Sequence, residues 1–401
     1  MDIKVKKEPF DRELEVPTSK SYINRLLILA SLFPQYFTLR HINFCDDVLF
    51  LIKALKQIGL NIEINDSTVL IKNQFPACEN EVSSVGELDL GDGGTTVRFL
   101  LPFLAKGKKV YKLKLGDQIR KRPLAPLIDL MISLGAVCEW KDECLFVQGP
   151  LVTSKPCLVV DTSQTSQFAS ALALAFAPEK IEVKITNDEL SLDYFRLTKK
   201  IILDVQSGKS DFEIPVDFSS LAYPLALGLS LGRVLVKNCF ALDLYQADSI
   251  FISLLEELGG KPKFTSKGLE LFHIKSFKKF EKNCQNCQDL VPVLAFLAAL
   301  VSEESCLSGL ENLRHKETDR IKMICDVLDL FFVNWRFDEL THSLYISKGN
   351  KVAPFLKWSS VPDHRIIMMV YLFMRVHDGG EILNAEFVSK SYPLFFDSIN
   401  T

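Results

Sequence analysis

Residues 51–73 read LIKALKQIGLNIEINDSTVLIKN. Apolar residues at helical spacing run into Ile-Gly, and two short β-rich stretches follow, joined by a polar turn. The glycine stands where a left-handed helix cap is wanted, and alternation with β-formers marks the strands. The same order of parts returns at residues 127–149 (LIDLMISLGAVCEWKDECLFVQG) and 252–274 (ISLLEELGGKPKFTSKGLELFHI). A divergent copy occupies 321–347, and 195–214 (FRLTKKIILDVQSGKSDFEI) reads as a further one. Helix-strand units recurring at long period imply a modular α/β architecture of similar supersecondary pieces.

Between these units the sequence predicts helices over 21–33, 95–106, 166–177, 219–231, 289–302 and 363–376. A chain of 401 residues favours two domains or one large one. A weak boundary falls near Pro215 to Ser219. Hydrophobic residues at 48% and charged residues at 24% can bury a substantial core. The net charge of −3 gives no global attraction to nucleic acid or anionic lipid, so any anion site must be local. No basic run interleaved with aromatics points to nucleic acid.

The start, MDIKVKKEPF, lacks an apolar signal core, and no apolar run reaches membrane-spanning length. Ten cysteines without a repeating framework fit reduced thiols in a cytoplasmic protein. Cys284 and Cys287 have C-x-x-C spacing, but a zinc site needs a second pair or nearby histidines. No metal is assigned.

The helix starts carry a second pattern. PTSKSYINR (17–25) puts Lys20 and Arg25 at the front of an apolar helix, and GDGGTTVRFL puts Arg98 in the first turn of another. Arg122 precedes Pro123, a residue type favoured at the first helical position. Lys316 and Arg320 are four apart, the spacing of one helix face. Arg365 follows the natural N-cap Asp363, and Lys390 precedes the last helix. A helix N-terminus already carries about half a positive charge, and a cation there costs roughly 0.3–1 kcal/mol. A single case means nothing, since exposed cations decorate many helices. Six such starts are explained together if they converge on a polyanionic ligand, with free amides and cations both donating. TSQTSQF adds hydroxyls at another helix start.

These segments, in this order, resemble the 5-enolpyruvylshikimate-3-phosphate synthase family. The resemblance spans nearly the whole chain and rests on PTSKSYINR, LGDGGTTVRFL, RKRP, SQTSQF, SLDY, NLRHKETDR, PDHR and SKSYP. It implies a two-domain inside-out α/β fold of repeated βαβαββ units, three per domain. By analogy residues 19–216 form one domain and residues 1–18 with 217–401 the other, with the active site in the cleft between them. The implied reaction joins phosphoenolpyruvate to the 5-hydroxyl of shikimate 3-phosphate, releases phosphate, and uses no metal or organic cofactor. Both substrates are anions, so cations must hold two phosphates and two carboxylates against their mutual repulsion. The protein is expected to act as a monomer on these small molecules alone.

Carried over by motif, Lys20 touches both substrates, and Ser21 and Arg25 meet shikimate 3-phosphate. Thr165, Ser166, Gln167 and Ser191 line its phosphate, and Tyr194 walls the ring. Asn312 and Lys316 complete that half. The phosphoenolpyruvate half comprises Gly94, Arg122, Arg320, Arg365 and Lys390, with Gln167 and Lys20 shared. Asp289 matches the family's base, and Glu317 with Lys390 would handle the methylene proton. From the residues alone, Asp289 reads equally as a helix N-cap and Glu317 as a balance for its cationic neighbours. Gly94, lacking a Cβ, leaves room where glyphosate is expected to compete.

The chain departs from the family pattern in three places. Asp92 stands where Asn is usual, which sets a negative charge beside an anion site. Thr165 replaces Ser, and the LGDQIRKRP segment is one residue short before Arg122. The nearest rival reading is the UDP-N-acetylglucosamine enolpyruvyl transferase, which shares fold and donor. It carries a loop cysteine that would fall between Cys78 and Cys138, where this chain has none, and Lys-Asn where this chain has Lys20-Ser21. A non-catalytic paralogue binding phosphorylated metabolites is the rival from another class.

Overall fold

The computed structural model describes residues 1–81, 86–186 and 192–400. The chain divides into two compact units, Met1–Pro17 with Val216–Thr401, and Thr18–Pro215. Each unit has its own hydrophobic core.

One sheet design recurs four times. In each, a parallel pair is extended by two antiparallel strands that form a hairpin. Within Thr18–Pro215 the first such sheet runs Asp211–Glu213, Phe37–Arg40, Thr68–Ile71, Ile62–Asn65. The second runs Leu88–Asp89, Val110–Lys114, Cys144–Gln148, Val137–Lys141. The other unit repeats the order with Phe10–Leu14, Gly232–Val236, Gly268–Phe272, Lys263–Thr265. Its second copy is Glu281–Asn283, Ser305–Ser308, Ser343–Ser347, Asn334–Asp338. A parallel pair, Cys157–Val160 with Glu182–Ile185, and a three-stranded sheet of Ile3–Val5, Gly380–Leu383 and Leu356–Ser359 make up the rest of the described sheets.

The hairpin of each design is the strand pair read after each helix in the sequence. The preceding helix stops at a left-handed residue: Gly59 at φ 103° and Gly135 at φ 96°, where any Cβ would be strained. In the divergent copy Phe332 takes that position at φ 55°. The stretch 195–214 departs from expectation. Its helix, Leu192–Gln206, is followed by only one strand, Asp211–Glu213, which joins the sheet of Phe37–Arg40. Five residues after Gly208 and before Ile214 leave no room for a hairpin, and Pro215 has no N–H to extend one.

Three helices are packed together inside each unit. In Thr18–Pro215 they are Lys20–Ala30, Gly94–Leu104 and Gln167–Ala175; in the other unit, Phe218–Leu231, Val291–Ala298 and His364–Val376. Most of their residues are buried, as for helices enclosed on all sides by sheets and other helices. Of the charged residues expected at the site, Arg25, Arg320 and Arg365 are nonetheless buried, and so is Arg98. Among the described residues no helix is long and apolar enough to cross a membrane.

Candidate active site

In the unit Thr18–Pro215 the first turns of the three inner helices are bonded to one another. Asn24 Nδ2 donates to Thr95 Oγ1 at 2.7 Å, and Arg98 Nη1 donates to Gln167 Oε1 at 2.8 Å. Their N-caps, Ser19, Gly93 and Ser166, make no side-chain cap bond, and the Ser19 hydroxyl is buried without a partner. Positive helix ends are thus gathered and left largely uncapped.

Into these ends point the cations. Lys20 Nζ lies 2.7 Å from Asp47 Oδ2. Arg25 is 1% exposed, yet its partners are neutral: Nε donates to Thr198 Oγ1 at 2.8 Å, Nη1 to the Ser21 carbonyl, and Nη2 to the Tyr194 carbonyl. The rings of Phe99 and Tyr194 lie against its guanidinium. Burial pushes Arg25 down to about 10. Arg98, also 1% exposed, is pushed down to about 9 by burial and by the neighbouring Arg122 charge. Its Nε has no acceptor. A Cβ added to Gly94 would lie 2.9 Å from Arg122 Nη1, so the missing side chain is what lets that guanidinium approach.

Arg122 corrects one expectation. The helix after Pro123 starts at Ala125, with Leu124 as N-cap, and Arg122 instead closes the short helix Asp117–Lys121 in extended conformation. A residue before proline is pushed out of the helical region, which accounts for this. Asp92 has a structural partner of its own. Its Oδ1 accepts from the Gln118 and Ile119 amides at 2.8 and 3.2 Å, so the carboxylate caps the Asp117–Lys121 helix. Thr165 Oγ1 accepts from the Gln167 amide at 3.2 Å and keeps its own proton to donate. Ser21 and Ser166 stand beside Lys20 and Gln167 at the two helix starts. Ser191 lies outside the described residues.

The second cluster, in the other unit, has a different character. Asp289 Oδ1 receives Arg320 Nη1 at 2.8 Å and Lys316 Nζ at 3.4 Å. Burial alone would raise its pKa, but Lys316, Arg320 and Arg365 hold the carboxyl well below the usual carboxylate range. Glu317 is met by His364 Nδ1 at 2.9 Å, Lys390 Nζ at 3.2 Å and Arg320 Nη2 at 3.6 Å. Those charges likewise overcome burial and keep it ionised. Asp363, fully buried, grips Arg320 through Nε at 2.8 Å and Nη2 at 3.2 Å and caps its own helix at the Arg365 amide. Burial would lower Arg320, yet Asp363, Asp289 and Glu317 raise it well above its ordinary value.

Arg365 is the exception within this cluster. It lies against the Tyr223 ring, and its buried Nε and Nη1 have no hydrogen-bond acceptor. Below it Asp248 accepts from Ser219 Oγ at 2.5 Å, and burial with the Asp289 charge pushes its carboxyl up to about 7.

Here too the helix expectations need correction. Asp289 lies in the 3₁₀ turn Gln288–Leu290 and makes no cap bond, so the N-cap alternative falls away. Lys316 and Arg320 do not share a helix face. Lys316 ends the 3₁₀ turn Glu311–His315 that contains Asn312, while Arg320 opens the helix Arg320–Leu330. Lys390 ends the turn Ala385–Lys390, ahead of Phe395–Asn400. Arg122, Lys316 and Lys390 therefore sit at C-terminal ends, where a cation is favourable. Single-turn helices are too short to show a period, so the sequence pattern does not reveal them.

Glu317, Asp363 and His364 bring ligating atoms within 4.8 Å of one another, a donor set with metal-binding chemistry. Their lone pairs are already directed at Arg320 and Lys390, so a cation there would have to displace two others. The ten cysteines are all thiols, and Cys284 and Cys287 are buried without a further ligand pair. Sequence reasoning missed Asp47, His364 and the gripping role of Asp363. The acidic helix start CDD and the PDHR segment were the signals available.

Comparisons with known proteins agree over the whole chain. A profile of the family described as EPSP synthase (3-phosphoshikimate 1-carboxyvinyltransferase) matches residues 5–399. The 3-phosphoshikimate 1-carboxyvinyltransferase of Thermococcus kodakarensis is 30% identical over 96% of each chain. That of Nitrosopumilus maritimus is 26% identical over 100% of this chain and 98% of its own. An EPSP synthase structure from Acinetobacter baumannii superposes with TM-score 0.77 at 19% identity, covering 100% and 97% of the two chains. The enolpyruvyl transferase NikO of Streptomyces tendae gives TM-score 0.75 at 12% identity, covering 100% and 96%. These two likenesses establish the enolpyruvyl transferase fold.

Proposed function

The chain belongs to the EPSP synthase (3-phosphoshikimate 1-carboxyvinyltransferase) family, and we propose that both of its charge clusters bind that family's anionic substrates, the second also supplying the proton-transfer groups. The enzyme transfers the enolpyruvyl group of phosphoenolpyruvate to the 5-hydroxyl of shikimate 3-phosphate and releases phosphate.

In this reading Lys20, Ser21, Arg25, Thr165, Ser166 and Gln167 receive the shikimate 3-phosphate anion, with Tyr194 beside its ring and Asn312 and Lys316 completing its site. Ser191 is proposed there from its motif alone. Arg122, Arg320, Arg365 and Lys390 hold phosphoenolpyruvate, with Lys20 and Gln167 shared between the two substrates and Gly94 giving the room. Asp289, kept ionised by its cations, takes the proton of the 5-hydroxyl as that oxygen attacks C2 of phosphoenolpyruvate. The methylene carbon receives a proton from the Lys390–Glu317 pair, which gives a tetrahedral intermediate. Loss of a methyl proton to the same pair then expels phosphate. His364 orients Glu317 through its Nδ1 contact.

The observation that carries this reading is the state of the buried arginines. Arg25 has only neutral acceptors, and Arg365 has two buried N–H groups with none. Buried charges are ordinarily paired, and an incoming phosphate and carboxylate supply what is missing. The test is phosphate release from phosphoenolpyruvate with and without shikimate 3-phosphate, in wild type and Lys20→Met. Release should need both substrates and collapse in the variant. Release from phosphoenolpyruvate alone, or an unaffected variant, would refute the assignment.

A further inference from the structure

Arg98 has no part in the reaction as drawn, yet it is among the most deeply buried cations in its unit. It sits one turn beyond Gly94 on the same helix. Its guanidinium joins three segments. Nη1 donates to Gln167 Oε1 at 2.8 Å, Nη2 donates to the Pro123 carbonyl at 2.9 Å, and Nε has no acceptor. The Phe168 ring lies 5.6 Å away, next along the chain from Gln167. Arg122 adjoins Pro123, and its guanidinium rests where a Cβ of Gly94 would be.

Two consequences follow from donor chemistry. An arginine only donates, so the Gln167 amide must turn its oxygen to Arg98, and its NH₂ group then faces away as a donor. The Pro123 carbonyl bond fixes the backbone that carries Arg122. A neutral residue could fill the same volume without setting one positive charge beside another. We propose that Arg98 is a positioning residue for phosphoenolpyruvate: it orients the Gln167 amide as a donor and places Arg122 against Gly94, so that both address one anionic ligand. This rests on the assignment of Gln167 and Arg122 to that substrate.

The test compares wild type with Arg98→Met, Arg98→Lys, Gln167→Met and the Arg98→Met/Gln167→Met double variant. The readings are KM for phosphoenolpyruvate, Kd for shikimate 3-phosphate by calorimetry, and thermal unfolding. Arg98→Met should raise KM for phosphoenolpyruvate about 10- to 100-fold, the worth of one or two charge-assisted hydrogen bonds. Affinity for shikimate 3-phosphate should fall less, because of the two groups Arg98 positions only Gln167 also serves that substrate, and the unfolding temperature should stay near wild type. Arg98→Lys keeps the charge but cannot span both acceptors, so it should recover only part of the loss. The double variant should be no worse than about the larger single effect, because Gln167 acts through the bond that is already lost. Equal weakening of both ligands together with a lower unfolding temperature would make Arg98 merely structural and overturn the proposal. Additive losses would also overturn it. Should the wild-type enzyme fail to turn over, the reaction reading falls instead, and phosphoenolpyruvate Kd by calorimetry on the same variants still decides the role of Arg98.

Discussion

The two clusters hold cations in opposite ways. In Thr18–Pro215 the inner helices begin without side-chain caps, and Arg25 and Arg98 are surrounded by carbonyls, hydroxyls and rings. Their pKa values are depressed to about 10 and about 9. In the other unit Asp217, Asp319 and Asp363 cap three helices through their side chains. There Arg320 is locked among three carboxylates, and the acids Asp289 and Glu317 are held ionised. Arg25 and Arg98 lie among neutral acceptors, whereas Arg320, though not Arg365, is already neutralised. The first cluster is suited to receiving anions. The second is suited to keeping acids and cations in fixed protonation states while protons move.

The largest expected consequence concerns chemistry. Asp289→Asn keeps the shape but removes the base, and phosphate release should fall about 10²- to 10⁴-fold. Rapid-quench turnover measures it, and a loss below tenfold would move the base elsewhere. Next comes folding. Arg320→Met leaves Asp363 buried without its cation and should cost about 3–5 kcal/mol in urea unfolding. Arg25→Met removes a charge that has no acid and should be close to neutral for stability. Equal losses in the two variants would erase the distinction between the clusters.

The pH dependence has a definite sign. Asp289 and Glu317 have folded pKa values below their unfolded ones. Their stabilisation is complete above about pH 4 and disappears as pH falls toward the folded values. Unfolding free energy measured from pH 7 to 3 should therefore drop steeply on the acid side, and less so in Arg320→Met. A parallel pair of curves would contradict the coupling. Smaller still is Gly94→Ala, whose Cβ first meets the flexible tip of Arg122. About 1 kcal/mol of crowding predicts a roughly fivefold rise in KM for phosphoenolpyruvate, with glyphosate inhibition weakened alongside. Asp92→Asn should do least, because asparagine caps the Asp117–Lys121 helix about as well as aspartate. Assayed activity should stay within about twofold, and a larger change would restore Asp92 to the anion site.

How much of this was readable beforehand differed with the length of the signal. Helices such as Arg320–Leu330 and the hairpins after Gly59 and Gly135 declared themselves, because several turns or a full strand pair lie between recognisable stops. The cations were visible as residue types at suspect places. Their true settings were not, because Asp117–Lys121, Glu311–His315 and Ala385–Lys390 are single turns that show no period. The acid partners were hidden for another reason. Asp47 meets Lys20 from 27 residues away and Asp363 meets Arg320 from 43 residues away, so local pattern could suggest only that each begins a helix. Pairing across such distances is set by which helix ends the core brings together.

The division of labour is tested most directly by calorimetric titration of shikimate 3-phosphate into Arg25→Met and Asp289→Asn. Arg25→Met should lose affinity by about 100-fold or more, the worth of a buried charge-assisted contact, while Asp289→Asn binds near the wild-type value. The reverse pattern would contradict the assignment of shikimate 3-phosphate binding to Arg25 and of the base to Asp289.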